Sequence, residues 1–107
     1  MNYPITPDGR YFVVKGRLWR CSNPNLNEQT RLEKVRALMQ GRRAVKQALQ
    51  QSDMNSLAIA RQQVNEAKIA LGERGAVWWK DGAPDYTRRM VEKTPYAEWY
   101  ASYSRSR

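Results

Sequence analysis

The chain has no histidine, so it lacks both the commonest general base of protein catalysis and the commonest metal ligand. It has a single cysteine, Cys21, which excludes an intrachain disulfide and fits a reducing compartment. With no imidazole to activate it, Cys21 reads as a buried structural thiol rather than a nucleophile. No apolar run approaches the roughly 20 residues that a membrane-spanning helix needs. The opening Met1–Asn2–Tyr3–Pro4 has no basic-then-apolar leader pattern, which makes the cytoplasm the expected compartment and leaves no membrane partner. A phosphate-cradling glycine loop, zinc-ligand spacing and a dinucleotide fingerprint are all missing. No catalytic residue, metal or cofactor is assigned from the sequence. The 107 residues set an upper bound of one modest domain, expected over 1–107.

What the chain does have is positive charge and aromatic rings. Lys and Arg number 19 against 10 Asp and Glu, for a net charge of +9. The excess is spread evenly over residues 1–27, 28–73 and 74–107, so there is no basic tail attached to an acidic body. Such a balance favours encounter with polyanions. Four tryptophans and six tyrosines accompany a single phenylalanine.

Residues 28–73 carry the longest periodic signal. Leu32, Val35, Leu38, Met39, Val45 and Leu49 recur at helical spacing, with Ala37, Gly41, Ala44 and Ala48 as a row of small residues beside them. That row predicts close approach of another element. Asn25 or Asn27 is the expected N-cap, and Asn25 would place Glu28 where a capping box can form. Leu57, Ala60, Val64, Ala67 and Leu71 form a second, narrow seam. A turn near 50–56, with Asp53 or Asn55 as cap, makes the two helices an antiparallel pair ended by Gly72 or Gly75. Arg42 projects into the apolar arc of the first helix; it snorkels at the seam edge or, where it cannot, is the basic residue expected to need a partner. Arg31, Lys46, Arg61 and Lys68 read as snorkelling at the seam edges.

The first 27 residues read as an irregular start followed by a β-hairpin. Strands over 10–14 and 17–21 flank a Lys15–Gly16 turn, with Leu18 and Arg20 on one face and Arg17, Trp19 and Cys21 on the other. From 74 onward, Ala76–Val77–Trp78–Trp79–Lys80 reads as a third strand or an extended cover. Pro84–Asp85 then reads as the start of a helix reaching Met90 or Val91, and Thr94–Pro95 as the start of a last short helix. The expected fold is α+β: a long antiparallel helical hairpin, a small N-terminal β-hairpin and short C-terminal helices.

Asp81, Asp85 and Glu98, with Tyr86 and Arg89 nearby, raise a catalytic reading. Turn and helix-cap roles explain those carboxylates as well, and more simply. The phrases Asp8–Gly9–Arg10–Tyr11–Phe12–Val13–Val14, Gly16–Arg17–Leu18–Trp19–Arg20 and Trp78–Trp79–Lys80–Asp81–Gly82–Ala83–Pro84–Asp85 together resemble a group of short uncharacterised bacterial proteins. That resemblance implies no activity, cofactor or partner.

Two function classes remain. In the first, Arg10, Lys15, Arg17, Trp19 and Arg20, joined by Arg88 and Arg89, bind nucleic acid non-specifically through phosphate contacts and ring stacking. In the second, the chain is a protein-interaction or assembly module, including a homodimer, acting through Ile59 and Ile69 of the helical pair or through Trp78, Trp79 and Trp99.

Overall fold

The computed structural model describes residues 3–105. The reading of the Met1–Asn2 start and the outer half of an expected frayed end at 104–107 fall outside them, whereas Ser104 and Arg105 lie within a helix. The architecture is α+β, and the chain divides into two compact units. One comprises residues 22–78. The other joins the residues up to Cys21 with those from Trp79 onward. The boundary falls between the adjacent tryptophans: Trp78 packs beside Gly72 of the first unit, and Trp79 packs on Tyr11 of the second.

The 22–78 unit is the helical pair. Helix α1 spans Glu28–Gln51 and α2 spans Met54–Leu71. Asn27, not Asn25, caps α1, its Oδ1 accepting from the Thr30 amide at 2.8 Å. Glu28 therefore sits one step past the cap, and it pairs with Arg31 instead of closing a capping box. The turn is shorter than expected, only Ser52 and Asp53. Ser52 takes a left-handed conformation, and Asp53 caps α2 through Ser56. Gly72 ends α2 at φ 87°, a conformation that favours glycine.

The two seams meet as the small-residue row predicts. Leu38, Gly41 and Ala48 of α1 are buried, as are Leu57, Ala60, Ala67 and Leu71 of α2. A Cβ on Gly41 would lie 2.9 Å from Val64 Cγ2 and 3.2 Å from its amide nitrogen, so the glycine allows a close approach of α2 at this point. Arg42 is exposed, with no ion pair among the described residues, which fits the snorkelling reading and not the paired one.

In the other unit, β1 (Tyr11–Val14) and β2 (Arg17–Arg20) pair antiparallel, with Tyr11 opposite Arg20 and Val14 opposite Arg17. Lys15 and Gly16 both have positive φ, 53° and 78°, as a tight two-residue hairpin turn requires. A two-stranded hairpin is marginal alone, and here both open edges are covered. Val13 N–H donates to Pro4 and Thr6 N–H to Tyr11 along β1. Along β2, Leu18 N–H donates to Arg89, Arg88 N–H to Leu18 and Val91 N–H to Gly16.

Those edge bonds explain the main correction to the C-terminal third. Residues 85–90 are not helical. The Arg88 N–H and the Arg89 carbonyl bond to Leu18 on the β2 edge, the Tyr86 and Thr87 amides donate to side-chain oxygens of Tyr11 and Asp85, and Arg88 has a φ of 73°. The tryptophan segment forms no strand and is irregular cover. A 3₁₀ turn at Val91–Lys93 leads to α3 (Ala97–Arg105), and the Thr94 hydroxyl accepts from the Tyr96 amide just ahead of that helix.

The expected consequence of the Gly41 contact is specific. Gly41→Leu should lower the stability of the helical pair by roughly 1–3 kcal/mol through overpacking against Val64. That loss should appear even though leucine raises intrinsic helix propensity. Urea unfolding followed at 222 nm measures it, and unchanged or increased stability would place Gly41 away from any close contact.

Candidate nucleic-acid interface

The β-hairpin has two chemically distinct faces, set by alternation along each strand. Tyr11, Val13, Leu18 and Arg20 are buried on the inner face. Phe12, Val14, Arg17 and Trp19 lie on the outer face, half-buried or exposed. This alternation divides the basic residues expected to act together.

The inner face is built around Tyr11. Its ring meets Trp79 edge-on at 5.7 Å and Tyr96 edge-on at 5.6 Å, with Tyr86 at 6.5 Å. Its hydroxyl accepts from the Tyr86 amide at 2.8 Å and donates to the Pro84 carbonyl at 3.4 Å. Burial raises the Tyr11 pKa. The Tyr96 hydroxyl donates to Asp8 at 2.6 Å, and burial followed by that bond pushes the Tyr96 pKa up strongly. Burial alone would raise Asp8. Hydrogen bonds from Tyr96, Thr6 and the Arg10 amide, with the Arg10 charge, outweigh it and hold the carboxyl below its usual range.

Arg20 belongs to this inner face, which corrects its expected role as an exposed phosphate contact. It is 4 % exposed, its Nη2 lies 2.8 Å from Asp85 Oδ2, and its guanidinium sits 6.0 Å from the Trp79 ring. Arg10 is likewise engaged. It pairs with Asp81, lies 3.9 Å from Asp8 and covers the Trp79 ring at 4.8 Å. Trp79, 8 % exposed and donating from Nε1 to Ala83 at 2.8 Å, is thus a packing element and not the interface residue expected.

Asp81 and Asp85 do not form a joint acid–base pair, since each is held by a different arginine. The Arg10 guanidinium, then the Ala83 amide, lower the Asp81 pKa. At Asp85, burial pulls upward but the Thr87 and Arg20 contacts win and lower it. A general acid near neutral pH needs the opposite shift. Among the described residues, no three Cys, Asp or Glu side chains cluster to hold a metal ion.

The outer face and the β2 edge keep the rest of the set. Lys15, Arg17, Arg88 and Arg89 are exposed, and none makes an ion pair among the described residues. The Arg17 guanidinium donates to the Arg88 carbonyl, and the Arg88 guanidinium lies 6.0 Å from the half-buried Trp19 ring. Tyr3 stacks on Phe12 at 6.0 Å on the same strand pair. Elsewhere, Ile59 and Ile69 are exposed at 63 % and 48 %, while Trp78 and Trp99 are half-buried. Trp99 lies within 6.2 Å of the Tyr100 ring and 6.1 Å of the Tyr103 ring.

The sequence reading missed the pairing of Arg10 with Asp81 and of Arg20 with Asp85. The partners are 71 and 65 residues apart, with no local signal linking them. The strand alternation that puts Arg20 on the same face as Leu18 was the one available hint. Comparison of the chain with family models, curated proteins and solved structures gives no match.

Two adjacent arginine truncations should separate the faces. Arg20→Ala removes the buried member of an ion pair, at a cost of about 2 kcal/mol once the exposure of Asp85 is allowed for. Arg17→Ala, at an exposed site, should stay within about 0.5 kcal/mol of the parent. Chemical denaturation of both variants checks this, and equal losses would contradict the assignment of faces.

Proposed function

We propose that this chain binds nucleic acid without sequence preference, through phosphate contacts from Lys15, Arg17, Arg88 and Arg89, with Trp19 as a stacking surface. The observation that carries this reading is the set of four exposed cations along the hairpin turn and β2 edge. Among the described residues no carboxylate pairs with them, and the Trp19 ring lies beside Arg88. Neighbouring cations on the inner face, by contrast, are neutralised. Guanidinium and ammonium groups left unpaired in water release counterions when they meet a phosphate backbone. Half-exposed rings give sequence-tolerant stacking.

Binding to a fluorescent single-stranded oligonucleotide should weaken steeply with salt. The double variant Arg17→Glu/Arg88→Glu should flatten the log–log salt slope by about 1.4, at roughly 0.7 per phosphate contact on a single strand. Its circular dichroism should stay unchanged. Titrations by anisotropy measure both quantities. Absence of binding at low salt, or an unchanged slope in the variant, would refute the proposal.

A second reading, an assembly module acting through the helical pair, is supported by the exposure of Ile59 and Ile69 on α2. Self-association there favours a twofold dimer. Sedimentation across a tenfold concentration range should then show a monomer–dimer shift that Ile59→Glu abolishes. A single monomeric species throughout would remove that reading.

A further inference from the structure

A second basic feature lies on the helical pair. Arg42 and Val45 of α1, Arg61 and Val64 of α2, and Arg74 beyond the α2 cap line one open cleft of about 380 Å³. Arg42 and Arg61 are exposed, and the two valines are half-buried and form an apolar floor. Arg74 is held back along α2 by donating to Asn65 Oδ1 at 3.1 Å. No ion pair reaches any of the three arginines among the described residues. Between Glu33 and Asp53, α1 carries Lys34, Arg36, Arg42, Arg43 and Lys46 and no acidic residue. Arg42 and Lys46 are like charges four residues apart, an arrangement that opposes helix formation. The cleft thus concentrates positive charge around an apolar strip, with no ion pair among the described residues to offset it.

We infer that this cleft docks an acidic amphipathic helix of a partner protein, its carboxylates on Arg42, Arg61 and Arg74 and its apolar side on Val45 and Val64. Charge complementarity selects the sign of the partner. Arginine forks hold carboxylates bidentately, which fixes register as well as attraction. The floor selects the class. A nucleic-acid strand gains from aromatic rings that stack its bases, and the cleft offers valine methyl groups and no ring. An open groove between two helices accepts a third helix through anchors at three- and four-residue spacing. This site lies in the 22–78 unit and is independent of the hairpin surface, so either assignment can fail alone.

The probe is a fluorescein-labelled synthetic peptide of about 16 residues, roughly 24 Å as a helix, with leucines along one stripe flanked by glutamates. A scrambled peptide of the same composition is the control. At physiological ionic strength, where long-range charge effects are screened, the patterned peptide should bind at least about tenfold tighter than the scrambled one. Arg42→Glu/Arg61→Glu should erase that difference. Arg36→Glu/Arg43→Glu, an equal change in net charge at exposed positions outside the cleft, should preserve it. Amide shifts in the unmodified protein should move at Val45 and Val64. Equal binding of the scrambled peptide, or equal loss in the Arg36/Arg43 control, would overturn the inference. So would an oligonucleotide that displaces the peptide while moving the same two valines, because it would make the cleft a nucleic-acid surface. If Arg42→Glu/Arg61→Glu loses helical signal, Arg42→Gln/Arg61→Gln and the shifts of the unmodified protein decide the matter.

Discussion

The hairpin unit depends on the burial of Tyr11. Its hydroxyl cannot be taken from water without hydrogen bonds, and the backbone at Pro84 and Tyr86 supplies them. Its ring is enclosed by Trp79, Tyr86 and Tyr96, all more than 60 residues further along the chain. Aromatic contacts of this edge-on kind add about 0.5–1.5 kcal/mol each beyond simple burial. Two short strands could not hold themselves in water. They persist because the segment after Trp79 encloses this tyrosine and then continues along the β2 edge. Arg10 and Arg20 follow from the same constraint: both guanidinium groups lie over Trp79, and Asp81 and Asp85 neutralise them there.

Local signals made the helical pair legible in the sequence. The step of Leu57, Ala60, Val64, Ala67 and Leu71, the small row through Gly41, the Asp53 cap and the Gly72 stop are each set by neighbours within a turn or two. The Lys15–Gly16 turn was legible for the same reason, since its backbone conformation is a property of two residues. Residues 84–91 were not legible. Pro84–Asp85 has the chemistry of a helix start, but the open edge of β2 competes for the same backbone groups and wins. That competition involves residues about 70 positions apart and leaves no local trace. Arg42 and Arg20 show how the local element decides the fate of a basic residue. A basic residue within an apolar helical arc escaped outward on its flexible stem, while one in a short strand had no such route and required a carboxylate.

The charge excess is therefore not one property. On the hairpin's inner face it is consumed by structure. On the outer face and the β2 edge it remains available, beside Trp19. On the helical pair it collects around a valine floor that has no aromatic ring in its lining. Encounter with a polyanion would be driven by the total charge, but the contacts that survive salt are set by which guanidinium groups are already satisfied.

The most direct test of this division is to observe the arginine side chains and tryptophan indoles by NMR while a single-stranded oligonucleotide is added. The account predicts that the Arg17 and Arg88 guanidinium signals and the Trp19 indole move, while Arg10, Arg20 and the Trp79 indole stay fixed. Movement of Arg20 and Trp79 with Trp19 unchanged would contradict it.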